Sequence, residues 1–284
     1  MDVSMPVQTV VWRPGTLEEA RSLKREYNEE ARFIAGGTLM QMQREQGIPF
    51  PPYLISLEKM RELSDIEETV DGAVRIGALT DLETCRTHPL LKKRCPALQE
   101  AIGTISSPAV RNRGTIGGNI LYGVGDVIPI LLAMNARLSW FSEDGIRSES
   151  LSDYVTDSVM PLSGAILTDV TIPSQSEAHC FFRKIGRRET FIASVVTVAM
   201  QAMVSDQGFI QSIRLVAGGG VNTPRRLVKC EEWLSGKRLS DVQLTELSVM
   251  IKEESALIGD AFASAEYRRT VAAHLLVAEL QSLQ

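Results

Sequence analysis

The sequence predicts an α+β protein, and three observations carry that prediction. Up to Ile172, short apolar strands alternate with helical stretches that carry cap signals; the polar, aperiodic segment Pro173-Ser174-Gln175-Ser176-Glu177 then breaks the pattern. Beyond it, strands come first and helices follow, the order expected when helices pack on one face of an antiparallel sheet. Two glycine pairs, in Ala35-Gly36-Gly37-Thr38 and in Thr115-Ile116-Gly117-Gly118-Asn119, sit between apolar segments. Without side chains, and free to adopt positive φ, such pairs let backbone N–H groups turn toward an anion at close range.

Length and composition narrow the classes. A chain of 284 residues with 44% hydrophobic content can build a core in one large domain or two ordinary ones. The formal charge of −5, with Lys and Arg scattered rather than clustered, argues against a nucleic-acid partner. Met1-Asp2-Val3-Ser4-Met5-Pro6 lacks a basic region followed by an apolar run, and no stretch approaches the roughly 20 apolar residues of a membrane span, so a cytoplasmic protein is expected. Cys85, Cys95, Cys180 and Cys230 form no CxxC pair, and His88, His179 and His274 are dispersed; free thiols are expected, and neither a metal site nor a hydrolytic triad has local support.

In chain order, Thr16-Leu17-Glu18-Glu19 reads as a capping box opening a helix to about Asn28, with Ala20, Leu23 and Tyr27 inward. Arg32 to Ala35 is a strand ending at the first glycine pair, and Thr38 is expected to cap a helix from Leu39 to Arg44; strand, glycine turn and helix N-terminus in succession favour an anion. Strands follow at Tyr53–Leu57 and Val74–Ala78, with a second capping box at Thr80-Asp81-Leu82-Glu83. Pro96 to Ile105 is a helix with Leu98, Ala101, Ile102 and Ile105 inward, ending ahead of Pro108. Asp126 reads as a cap for Val127–Met134, Arg137–Phe141 and Ile146–Ser148 as a hairpin about Asp144-Gly145, and Ala165–Ile172 as a strand. After the linker, three strands are expected at Phe181–Ile185, Ser194–Val204 and Phe209–Ala217, then helices from Leu227 onward. Gly218-Gly219-Gly220 reads as a structural turn, because no helix follows it directly.

Neither glycine pair belongs to a GxGxxG or a GxxxxGK[ST] pattern. Each has small polar neighbours, Thr38 in the first and Thr115 with Asn119 in the second, whose hydroxyl and amide groups can donate to phosphate oxygens. Together they suggest a diphosphate held mainly by backbone N–H groups between two parts of one domain.

Four stretches in order, Ala35-Gly36-Gly37-Thr38, Val110-Arg111-Asn112-Arg113-Gly114-Thr115-Ile116-Gly117-Gly118-Asn119, Phe182-Arg183-Lys184-Ile185-Gly186-Arg187-Arg188 and Ile213-Arg214-Leu215-Val216-Ala217-Gly218-Gly219, resemble the FAD-binding subunit of molybdenum hydroxylases such as xanthine dehydrogenase and carbon monoxide dehydrogenase. The resemblance spans nearly the whole chain. It implies a vanillyl-alcohol-oxidase type FAD domain over residues 1–175, in lobes of about 1–57 and 58–175, and a C-terminal α+β domain over 176–284 built on a three-stranded antiparallel sheet with helices. It further implies that Phe33, Ile34, Ala35, Gly36, Gly37 and Thr38 face Thr115, Gly117, Gly118 and Asn119 across the FAD diphosphate. By the same likeness Leu39, Met40 and Val110 line the cleft, and Leu121 and Tyr122 continue the second loop. Asp126 matches an aspartate expected on an adenosine or ribose hydroxyl, Ile166 and Leu167 fall where the family packs the adenine or flavin, and Lys184 matches a lysine near the isoalloxazine.

Blander readings stand beside these. Asp126 reads equally as a helix N-cap, Lys184 as a solvated strand residue, Tyr122 as packing, and Arg187-Arg188 as surface charge or a subunit contact. The segment from Ile120 to Asp126 is shorter than is usual in the family and lacks its proline. Cys85 and Cys95 cannot supply the four-cysteine cluster that one branch inserts here. The resemblance implies an oxidoreductase subunit whose FAD takes electrons from 2Fe–2S centres of a small subunit, downstream of a molybdenum-cofactor large subunit, and passes them to NAD+ or another acceptor. For the substrate of the whole complex, the frequency of family members puts a purine such as xanthine first, with carbon monoxide and aromatic heterocycles as rivals. No side chain is nominated as catalytic, since reduction by a one-electron donor needs no acid or base. Two alternatives are a stand-alone FAD-dependent oxidase of the same fold and a non-catalytic assembly subunit.

Overall fold

In the computed structural model, residues 8–157, 164–174, 178–186 and 194–284 are described. The N-terminal hexapeptide, the end of the polar linker and Arg187-Arg188 lie outside them. The first layer holds β1 (Val10–Trp12), α1 (Leu17–Tyr27), β2 (Ala31–Ile34), α2 (Thr38–Glu45) and β3 (Tyr53–Ser56), with the strands parallel in the order β1-β3-β2. At the start of α1, Thr16 Oγ1 accepts from Glu19 N–H, while the Glu19 carboxylate reaches back to Gly15 N–H rather than to Thr16. Ala20, Ala31 and Ile55 are fully buried here and pack with Leu57, Met60, Leu63 and Ile166.

The second layer runs β4 (Ile66–Glu68), β5 (Val74–Gly77), α3 (Leu82–Thr87), α4 (Pro89–Arg94), α5 (Pro96–Gly103), α6 (Pro108–Arg111), α7 (Ile116–Leu121), α8 (Ile128–Ala133), β6 (Arg137–Ser142), β7 (Gly145–Ser150), α9 (Leu151–Asp157) and β8 (Ile166–Ile172). Its sheet is antiparallel in the order β4-β5-β8-β6-β7. α4 and α6, both absent from the sequence reading, begin at prolines; a proline that bars a helix from continuing is also well suited to begin one, since its φ is already helical and its missing N–H is not needed there. The second capping box is displaced by one residue: Asp81, not Thr80, accepts from Thr84 N–H. Asp126 is not a cap either, because Val127 holds that position for α8.

The last layer is β9 (His179–Gly186), β10 (Ser194–Val204), β11 (Ile210–Gly219), β12 (Asn222–Arg226), α10 (Val228–Leu234), α11 (Leu244–Glu254) and α12 (Ala265–Gln281). The antiparallel sheet has four strands, β12-β11-β10-β9, where three were expected. β12 contains Pro224 and escaped notice for that reason, but at the sheet edge a proline forfeits no ladder bond. Gly219 (φ +112°) and Gly220 (φ +64°) form the β11–β12 turn, as expected of a structural glycine run. Alternation sends Val198, Met200, Leu215 and Ala217 toward Leu234, Leu247, Ile251 and Leu276 of the helices. Ala199, Val216 and Phe182 face the other way, into the core that contains α8. The sheet is thus buried on both faces, which fixes its seat on the second layer.

Candidate functional site

The two glycine loops touch. Gly36 follows β2, and a Cβ built on it would collide with the carbonyl oxygen of Arg113 and crowd Gly114, the residue that opens the second loop. Gly114 is hemmed in reciprocally, since a Cβ there would lie 3.3 Å from Thr38 Oγ1. The missing side chains therefore let two backbones from different layers come together.

What each loop offers is different. Gly37 holds the N-cap of α2 at φ +71° with no side chain capping the helix, and Thr38, expected as the cap, is its first residue. Among the described residues no side chain caps the first N–H groups of α2, so they are open to a ligand, and the helix dipole favours an anion there. Phe33, Ile34, Ala35, Gly36, Gly37, Thr38, Leu39 and Met40 are all half-buried, forming a continuous rim.

The second loop is closed on itself. Thr115, buried, accepts from Gly118 N–H at 3.1 Å and so caps α7; Ile116 N–H donates to Thr80 and Gly117 N–H to Ala78 carbonyls. Gly117 is glycine for a packing reason, because a Cβ would fall 2.6 Å from the Ala78 oxygen. Asn119 Oδ1 accepts from Val127 N–H at 3.2 Å, leaving the amide Nδ2 without a partner among the described residues. The expectation that both loops present N–H groups alike is thus corrected: α2 supplies open backbone donors, and the second loop supplies exposed Gly118, the Thr115 hydroxyl and the Asn119 amide. Val110 is half-buried and its carbonyl accepts from Gly114 N–H at 2.7 Å, and Leu121 and Tyr122 are 48% and 45% exposed at the end of α7.

Lys184 and Asp126 meet across the layers. Lys184 Nζ lies 2.6 Å from Asp126 Oδ2 and 3.0 Å from the Thr104 carbonyl, and its side chain is only 7% exposed, so it is not a solvated strand residue. Ile166 and Leu167 do not share a surface: neighbours on β8, they point into the first-layer and second-layer cores respectively.

The sequence reading assigned no partner to Arg111, Glu83 or Arg86. Buried Arg111 donates to the carbonyls of Ile105 (3.0 Å) and Ser106 (3.1 Å) and pairs with Glu83 at 2.7 Å. Glu83 also binds Arg86; these hydrogen bonds, to Arg86 first and then Arg111, hold its carboxyl down at about 2. Ser106 adopts φ +42°, unusual for a residue with a side chain. The Glu83-to-Arg86 spacing was readable as a helical i,i+3 pair, but nothing in the local pattern marked Arg111 as buried. Among the described residues no group of three or more His, Cys, Asp or Glu is placed to hold a metal, the cysteines are free, and no helix is long and apolar enough to cross a membrane. Burial raises the Cys95 thiol to about 12, so it is inert as a nucleophile.

Residues 5–175 match the model of the FAD binding domain in molybdopterin dehydrogenase, and residues 180–283 match that of the CO dehydrogenase flavoprotein C-terminal domain. The chain belongs to this family of molybdenum-hydroxylase flavoproteins. Its cofactor is FAD, and it is an oxidoreductase subunit. It is 30% identical to the nicotine 6-hydroxylase medium subunit of Paenarthrobacter nicotinovorans over 94% of this chain and 92% of that one. It is 27% identical to the xanthine dehydrogenase FAD-binding subunit of Escherichia coli O157:H7, over 90% and 89%. In fold it resembles reconstituted CO dehydrogenase from Oligotropha carboxidovorans, with a TM-score of 0.89 at 24% identity, covering 99% of this chain and all of that one. The observed donors fit the cofactor: a dianionic diphosphate suits an uncapped helix N-terminus after a glycine pair, with the Thr115 hydroxyl and Asn119 amide on the loop that follows Gly114.

Proposed function

We propose that this flavoprotein is the electron-transfer subunit of a xanthine dehydrogenase-like complex, receiving electrons from 2Fe–2S centres of a small subunit beside a molybdenum-cofactor large subunit and delivering them to NAD+ or another acceptor. The observation that carries the reading is the contact between Gly36 and the Arg113-Gly114 backbone at the uncapped start of α2. Bound FAD would supply the redox chemistry, and the chain would hold and shield it. In this reading Gly37, Thr38 and Leu39 direct N–H groups at one phosphate, and Thr115 and Asn119 donate to the other from across the cleft. Leu121 and Tyr122 extend the rim toward solvent, where a partner subunit can approach. The cofactor domain would span residues 1–175 and the C-terminal domain 176–284. Likeness to the Escherichia coli xanthine dehydrogenase subunit supports xanthine and likeness to the nicotine 6-hydroxylase medium subunit supports an aromatic heterocycle, so the choice between them would fall to the large subunit.

The test is isolation of the native complex. Flavin absorbance that survives dialysis, with molybdenum, iron and two companion chains in the same peak, is expected. A flavin-loaded chain that purifies alone and reacts directly with an organic substrate would replace this reading with a stand-alone oxidase, and a complex lacking flavin would replace it with an assembly role.

A further inference from the structure

The carbonyls of Thr104, Ile105 and Ser106 are consecutive, and each accepts from a buried cation. Lys184 Nζ, from the C-terminal sheet, binds Thr104 at 3.0 Å; Arg111 Nη1, from α6, binds Ile105 at 3.0 Å and Ser106 at 3.1 Å. Each cation is anchored in turn by a carboxylate, Asp126 for Lys184 at 2.6 Å and Glu83 for Arg111 at 2.7 Å. Ser106 sits in the left-handed region at φ +42°, so this turn is held in a conformation that a serine disfavours, and two cations from different elements bind it. The far end of the network is the glycine cradle. Arg111 lies two positions before Arg113, whose carbonyl rests against Gly36, and Leu82 N–H, next to Glu83, donates to the Gly114 carbonyl at 2.8 Å.

We propose that the turn at residues 104–106 couples the seating of the C-terminal sheet to the second glycine loop, with Lys184 and Arg111 acting as positioning residues that set the affinity for the adenosine-diphosphate half of FAD. The inference rests on the FAD reading and adds a control to it: the C-terminal sheet tightens the grip on a part of the cofactor that it does not itself hold. Lys184 exerts this effect through the partners it holds, the Thr104 carbonyl of the turn and the Asp126 carboxylate, because its ammonium is already taken by both.

The experiment is titration of the full chain, wild type and Lys184→Met, with FAD and separately with ADP, which lacks the flavin ring. Removing the cation is expected to weaken both ligands by the same factor, about tenfold, within the usual range of coupling between sites. Lys184→Arg, which keeps a cationic donor, is expected to restore both affinities to within about twofold of wild type. Where Lys184→Met does not fold, Lys184→Gln removes the charge but keeps a donor, and it too is expected to weaken FAD and ADP alike. Weakening of FAD with ADP unchanged would overturn the proposal, since Lys184 would then act on the flavin directly. A lowered thermal midpoint with both affinities unchanged would overturn it as well, leaving a purely structural role. A wild-type chain that binds neither ligand would instead overturn the FAD reading on which the proposal rests.

Discussion

Gly36 has no room for a methyl group, and the obstacle is backbone, which cannot swing aside as a side chain can. Gly36→Ala is therefore expected to push the two loops apart, at a cost of about 1–3 kcal/mol typical of overpacking and with loss of FAD binding, measured by denaturant titration and flavin fluorescence. Gly118 is the contrasting case. A Cβ there meets Thr115 Oγ1 at 3.1 Å and the residue is exposed, so under the proposed FAD reading Gly118→Ala is expected to weaken FAD binding with little loss of stability. If Gly118→Ala binds FAD like the wild type, that face of the loop does not meet the cofactor. Glu83 makes a separate prediction. Its pKa falls from 4.5 to about 2 in the folded chain, so its stabilising effect is complete above 4.5 and is lost as pH falls through about 2. Glu83→Gln is expected to flatten the decline in stability across that window, as followed by thermal midpoints; an unchanged slope would remove Glu83 from the acid response. At this scale the glycine positions were legible in the sequence, because only a side-chain-free residue explains them. The burial of Arg111 was not, since it depends on where two carbonyls fall after the chain has turned.

At the scale of the element, the two glycine-loop helices differ by the placement of one threonine. Thr115 precedes its glycine pair, so its hydroxyl reaches the N–H three residues on, whereas Thr38 follows its pair and can only begin the helix. That distinction was present in the order of residues, yet composition alone, a glycine pair with a polar neighbour, made the loops look equivalent. The C-terminal helices have their own anchor in α12. Arg268, 1% exposed, donates to the carbonyls of Val195 (2.5 Å) and Gly219 (3.2 Å) and pairs with Asp260 at 2.5 Å, tying α12 to the β10–β11 end of the sheet. Arg268→Met takes the guanidinium from the buried Val195 carbonyl, while Gly219 keeps the Asn222 amide and Asp260 keeps the N–H groups of Phe262 and Ala263, and is expected to cost about 1–3 kcal/mol. Urea unfolding of the full chain checks this, and a loss under about 1 kcal/mol would show that water replaces the guanidinium without penalty. Element type was well marked for the strands ending at glycines, and poorly marked where proline was read as a stop when it served as a start.

For the molecule as a whole, the strands-then-helices order after residue 177 pointed correctly to an α+β layer, but the burial of its sheet on both faces was hidden. Ala199 and Val216 alternate with neighbours that face the helices, and sequence alone gives no reason to prefer a second layer over solvent for such small apolar side chains. Lys184 and Asp126 were each singled out, but their pairing is a tertiary fact spanning the polar linker. The central claim concerns the diphosphate, and ADP and adenosine differ only in that group. Competition of each against FAD on the full chain therefore isolates it. Two charge-assisted hydrogen bonds at about 1.5 kcal/mol apiece correspond to roughly a hundredfold. ADP is expected to displace FAD about a hundredfold more effectively than adenosine does; equal displacement by the two would contradict a cofactor gripped at its phosphates by the paired glycine loops.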